Sequence, residues 1–167
     1  KIRLWVSPDE NGTNASFTVP GPVTLFSYTP SVTLPRGLEN VDGENGYPLF
    51  DRPGTIQTVF GVGEMRHIPV GSLISGLSLR RSGGGSSQSW PVQGVNVGRF
   101  DITLSTSPRG PGEISGIFAE NIGADAVEVR SGAITIPAHA FPWRAGPEAS
   151  DQRWFVEFQR PFRYTGG

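Results

Sequence analysis

Short runs in which apolar and polar residues alternate, cut off at close intervals by glycine and proline, restrict this chain more than any other feature. Alternation appears in Ile2, Leu4 and Val6, in Val23 with Leu25, in Ile56, Thr58 and Phe60, and in Leu77 with Leu79. It continues through Val95 with Val97, Phe100 with Ile102 and Leu104, Val127 with Val129, Ile134 with Ile136, and Trp154 with Val156 and Phe158. A period of two sends successive side chains to opposite faces of an extended backbone, so each run predicts a strand. Between the runs stand Pro20-Gly21-Pro22, Pro53-Gly54, Gly83-Gly84-Gly85 and Pro108-Arg109-Gly110-Pro111-Gly112, residues that reverse a chain. Strands at this spacing predict an all-β fold, a two-sheet antiparallel β-sandwich of jelly-roll type. Its 167 residues suit one domain with one core. Residues 113–122, with Ile114, Ile117, Phe118 and Ile122 near helical spacing, predict about one helical turn. No long amphipathic run exists, which excludes βαβ architecture and its nucleotide sites.

Charge and residue usage exclude several functions. The formal net charge is -1, so the chain has no cationic footprint for nucleic acid. Cysteine is absent, which removes disulfides, thiolate metal sites and a thiol nucleophile together. No apolar stretch approaches the about 18 to 20 residues that a membrane helix requires. The segment 1–8 lacks the apolar run of a signal peptide.

Catalytic and cofactor signals are weak. A serine hydrolase needs a serine beside a histidine and an acid, yet the chain has only His67 and His139 and no Gly-x-Ser-x-Gly elbow. Two distant histidines do not make a zinc site. Asp9, Asn11 and Asn14 resemble part of a calcium loop without its full spacing or terminal Glu, and Asp42 with Glu44 is a second fragment of that kind. Solvated turns account for both. Gly83-Gly84-Gly85-Ser86-Ser87 lacks the Lys and the following helix of a phosphate cradle and reads as a hairpin loop. These residues point to a non-enzymatic protein without cofactor or resident metal. Asn11-Gly12-Thr13 and Asn14-Ala15-Ser16 are glycosylation sequons that place Asn11 and Asn14 on an exposed turn.

Four blocks carry a family likeness. They are Thr55-Ile56-Gln57-Thr58-Val59-Phe60 leading to Ile74-Ser75-Gly76-Leu77-Ser78-Leu79-Arg80; Phe100-Asp101-Ile102-Thr103-Leu104-Ser105-Thr106; Phe118-Ala119-Glu120-Asn121-Ile122-Gly123-Ala124-Asp125 with Val129-Arg130-Ser131-Gly132; and Pro161-Phe162-Arg163-Tyr164-Thr165-Gly166-Gly167. Over residues 44–167 the chain resembles a family of secreted bacterial proteins that often end in a PEP-CTERM sorting tail. The resemblance implies export to the extracellular space or cell surface and a jelly-roll β-sandwich, and it implies no particular chemistry. It departs from the family pattern in having no sorting tail and no apolar strand after Tyr164.

That departure predicts an unpaired sheet edge, whose buried N–H and C=O groups would cost about 1 to 3 kcal/mol each. Of the 14 basic residues 13 are Arg and one is Lys1, so edge lysines cannot blunt it, whereas prolines can. Ile2, Leu4 and Val6 could fill an edge of their own sandwich or one in a neighbour. Donation to a neighbour pairs Ile2, Leu4 and Val6 with the edge near Phe162 and Tyr164, and its head-to-tail geometry makes a homopolymer. The leading expectation is therefore a structural subunit of a filament or sheath. The alternative is a carbohydrate-binding module in which Trp90 and Trp143, both in turn-like sequence, stack on a polysaccharide. The competing reading makes those two rings caps of the core. Trp154, inside an alternating run, is expected in the core.

Overall fold

The computed structural model describes residues 2–7 (backbone), 31–35, 37–38, 53–80, 88–143 and 154–166. Within them the chain forms β1 (Ile2–Ser7), β2 (Ser31–Leu34), a single helical turn α1 (Val62–Met65), β3 (Leu73–Leu79), β4 (Val95–Val97), β5 (Ile102–Leu104), β6 (Val127–Arg130), β7 (Ile134–Ile136) and β8 (Trp154–Arg163). All ladders are antiparallel. The fold is mostly strand with very little helix, as the alternation predicts. One four-stranded sheet runs β2-β1-β3-β8, and two further ladders pair β4 with β7 and β5 with β6.

β1 lies inside the four-stranded sheet. Ile2 to Trp5 pair with Leu34 to Ser31 on one side, and Ile2 to Ser7 pair with Leu79 to Leu73 on the other. Both edges of its backbone are thus taken within its own chain. At the other end Phe162 pairs with Ile74, the Tyr164 N–H donates to Ser72 O (2.8 Å), and Tyr164 O accepts from Gly71 N–H (2.7 Å). The side chains of Phe162 and Tyr164 are buried at 4% and 8% exposure. Of the two places the sequence leaves open for Ile2, Leu4 and Val6, this structure has them in their own sheet, between β2 and β3, while Phe162 and Tyr164 are bonded on one side to β3 and to Gly71 and Ser72.

β8 forms an edge and is protected by the devices that the shortage of lysine leaves open. Its register passes from Ile74↔Phe162 to Gly76↔Glu157, so residues 158–161 bulge opposite Ser75. Pro161 sits in this bulge, where a missing N–H breaks no ladder. Gln159, beside it, uses its side-chain amide in place of backbone: Nε2 donates to Ser131 O and Oε1 accepts from Ser131 N–H, each at 3.0 Å. The edge of one sheet is thereby tied to the turn between β6 and β7.

Strand alternation decides what enters the core. Along β8, Trp154, Val156 and Phe158 are buried while Phe155, Glu157 and Gln159 are exposed. Leu34 of β2, Ile74 of β3, Val129 of β6, Ile136 of β7 and Val156 of β8 meet in one cluster, so all three ladders share a core. Each such side chain contributes about 1.5 to 3 kcal/mol by leaving water. Rings extend the cluster: Phe100 packs on Trp154 (centroids 5.9 Å apart), Trp154 on Phe141 (6.0 Å) and Phe141 on Trp90 (5.7 Å). Trp154 is a core residue, as its alternation predicts.

Local differences from the sequence reading have local causes. The predicted turn at 113–122 is two separate 3-10 turns, Pro111–Glu113 and Phe118–Asn121. α1 was not expected. It starts where Glu64 Oε2 accepts from the Gly61 N–H (3.1 Å) and Met65 N–H donates to Gly61 O (3.1 Å), a reciprocal cap on one turn. Residues 55–60 alternate as a strand should, yet among the described residues they pair with no ladder. The run at Val23 and Leu25, the glycine loop 83–87, the calcium-like residues Asp9, Asp42 and Glu44, and the sequons at Asn11 and Asn14 lie outside the described residues.

Gly76 is a point of close approach in β3. A Cβ there would meet the Phe155 ring at 2.5 Å and Val156 O at 2.8 Å. Phe155, partly exposed, lies across the bare backbone and shields it. Gly76→Ala is expected to destabilise the protein by about 1 to 3 kcal/mol, read as a lower urea midpoint at unchanged slope. An unchanged midpoint would contradict this seating of Phe155.

The turns after β4 and β6 are joined by charge. Asp101 accepts from the Gly132 N–H (2.9 Å) and from Arg99, and Gly132 adopts a φ of 93° that favours glycine. The Gly132 N–H first, and then Arg99, hold the Asp101 carboxyl below the usual carboxylate range. A depressed folded value means that this contact stabilises fully at neutral pH and is lost as the pH falls through that value. Asp101→Asn should therefore differ most from the unsubstituted protein at neutral pH, the two thermal midpoints converging in acid. Parallel midpoint curves would contradict the assignment.

Candidate functional site

The two tryptophans proposed for a ligand come together at one corner. Beyond the β4–β7 ladder the same two segments meet again at an isolated bridge: Trp90 N–H donates to Phe141 O (2.9 Å) and Phe141 N–H to Trp90 O (2.8 Å). His139 N–H donates to Pro91 O (2.7 Å), with His139 at a φ of 58°. Trp143 N–H donates to Ser89 Oγ (3.1 Å). Four hydrogen bonds therefore fix residues 89–91 against 139–143.

Their side chains have different surroundings. Trp90 is half-buried, tilted by 41° on Phe141, which in turn touches Trp154. It packs against the core. Trp143 is 43% exposed. A rigid backbone thus presents one indole to solvent and anchors the other in the aromatic row. An indole held this way offers a broad apolar face with a single N–H donor at its edge.

The described contacts give each histidine a local role. Both are exposed; His67 Nε2 accepts from the Arg66 Nε–H (3.1 Å), and His139 serves the bridge through its backbone. Among the described residues no three His, Asp or Glu side chains converge as a metal site would require, and no helix is long and apolar enough to cross a membrane.

The block from Phe118 to Asp125 has a structural task. Asn121, 2% exposed, donates from Nδ2 to Ser115 O (2.9 Å) and to Gln57 Oε1 (2.7 Å), and its Oδ1 accepts from Ser115 N–H (2.9 Å). Asp125 Oδ1 accepts from both N–H (2.9 Å) and Oγ1 (2.8 Å) of Thr106. Between them Gly123 N–H donates to Thr106 O (2.8 Å), and a Cβ on Gly123 would lie 2.5 Å from that same oxygen. These three residues pin a loop whose outward side carries Ile114, Ile117, Phe118 and Ile122, all exposed. The hydrophobic spacing at 113–122 predicts about one helical turn and gives no sign of Asn121's task. Its signal was an amide with a glycine and a carboxylate at two-residue intervals, residues suited to holding irregular backbone.

Comparison of the chain with protein-family models, with curated proteins and with solved structures gives no match.

Asn121→Ala would strand the Ser115 N–H and C=O and Gln57 Oε1. A loss of about 1 to 3 kcal/mol is expected, with faster amide exchange confined at first to residues 105–125. Exchange unaltered in this loop would show that Asn121 does not hold it.

Proposed function

We propose that this chain is an exported, non-enzymatic domain of bacterial cell-surface type that binds a polysaccharide at the Trp90–Trp143 corner. Export rests on the resemblance of its four motif blocks, and a jelly-roll-like sandwich filling the single domain is the architecture that goes with them. The observation carrying the binding role is the exposed indole of Trp143 on a backbone fixed by the Trp90–Phe141 bridge and by Ser89. A sugar ring has a face of C–H groups that can cover such an indole. Because the bridge is already formed, little conformational entropy is lost on contact.

A filament subunit assembled through Ile2, Leu4 and Val6 is the weaker reading. The backbone groups it would use are already hydrogen-bonded to β2 and β3.

The test is affinity electrophoresis through gels cast with individual polysaccharides, preceded by a glycan array to choose them. Trp143→Ala is expected to abolish retardation at an unchanged thermal midpoint, since the ring is exposed. Trp90→Ala, which opens the aromatic row, is expected to cost up to about 3 kcal/mol of stability. Absence of binding to any polysaccharide, or full retention by Trp143→Ala, would refute the proposal.

A further inference from the structure

The residues Thr55-Ile56-Gln57-Thr58-Val59-Phe60 have the composition of a strand and, among the described residues, no partner strand. Four of the six are β-branched and a fifth is aromatic. The run contains neither turn nor bend. Among the described residues, its backbone N–H and C=O groups make no hydrogen bonds. The segment is nevertheless held in position. Phe60 packs against the core, while Gln57 accepts from Asn121 Nδ2 (2.7 Å) and donates from Nε2 to Phe118 O (3.3 Å). What results is a strand edge fixed to the molecule by side chains alone.

Two further observations bear on what pairs with it. Ile56 is 46% exposed, and the Gln57 contact places it next to the loop that exposes Ile117 and Phe118. An open backbone edge is thus continuous with apolar surface, the combination that strand addition uses, with main-chain bonds for affinity and apolar contacts beside them. In addition, no charged residue occurs from Pro53 to Gly63. Sheet edges that must stay single carry lysine, proline or an inward charge, and residues 55–60 have none. A short neutral run of high strand propensity with no Pro or Gly inside it is the composition that pairs with its own copy.

We infer that two copies of this chain associate by antiparallel pairing of residues 55–60 about a two-fold axis. Directly opposed residues in an antiparallel pair share a face, so a two-fold perpendicular to the ribbon brings exposed Ile56 and Thr58 of each copy onto one side. The neutral sequence places no like charges opposite one another. The arrangement closes on itself and gives a dimer. It uses neither the Trp90–Trp143 corner nor the proposed sugar, so either idea can fail alone.

Sedimentation velocity of the full chain from micromolar to several hundred micromolar provides the test, together with amide hydrogen exchange at both extremes. The expected result is a rise in mass from one chain to two, with exchange at residues 55–60 at least about tenfold slower in the dimer, an opening cost of 1.4 kcal/mol or more. Thr58→Lys sets two like charges across the ribbon at a solvent-exposed position; it should stay a single chain throughout, with the thermal midpoint of the unsubstituted protein. Val92→Lys, exposed elsewhere, should dimerise normally. A single-chain mass at every concentration, growth beyond two chains, a Thr58→Lys dimer of undiminished strength, or exchange at residues 55–60 independent of concentration would each overturn the inference. The exchange measurement on the unsubstituted protein decides the matter even if Thr58→Lys does not fold.

Discussion

The backbone of Leu73–Leu79 is hydrogen-bonded on both sides, to a strand from the start of the chain on one edge and to a strand from its end on the other. The remaining architecture depends on this double occupancy. Closing so long a loop costs entropy that grows only slowly with length, so a few well-packed strands suffice to hold the ends together. β3 suits the position because Gly76 to Leu79 are buried without interruption, the pattern of a strand covered on both faces. Its one bare position, Gly76, is covered by Phe155 from the neighbouring strand.

Two kinds of contact carry order outward from that sheet. The row Phe100, Trp154, Phe141 and Trp90 conducts apolar packing from β8 to the corner where Trp143 is displayed. Tilted rings a few ångströms apart contribute about 0.5 to 1.5 kcal/mol per pair beyond their burial. Where the backbone is irregular, side-chain amides and carboxylates replace ladder bonds: Gln159 on Ser131, Asn121 on Ser115, Asp125 on Thr106. The first ties a bulged edge to a turn, and the other two keep a glycine-rich loop in one shape while its isoleucines face water. The proposed binding corner and the proposed dimer edge are both surfaces held rigid from behind.

Alternation located every described strand except β2, where Val32 and Leu34 alternate as Val95 and Val97 do in β4 but were not marked. It also marked residues 55–60, where extended shape and propensity exist without a partner strand among the described residues. Propensity reports how a segment fits a pleated surface and says nothing about whether a neighbour is within reach. Asn121 was illegible for a related reason. A buried amide is recognised by the backbone groups it satisfies, and those belong to Ser115 and to Gln57, which is far off in sequence. Trp90 and Trp143 were both marked as ring residues in turns, but their different fates follow from Phe141, which covers one ring and not the other.

By itself the sequence determined that this protein is built from short antiparallel strands with almost no helix, because side-chain period and turn chemistry are properties of neighbouring residues. It also determined that this chain has no thiol chemistry, since that depends on cysteine being present at all. Tertiary structure alone decided which edges were filled: it placed Ile2–Ser7 between two strands of its own sheet, buried Phe162 and Tyr164, and left residues 55–60 without a ladder among the described residues. Backbone pairing joins residues distant along the chain, and every N–H and C=O is chemically alike, so the choice of partner is made by packing across the whole molecule and not by local pattern.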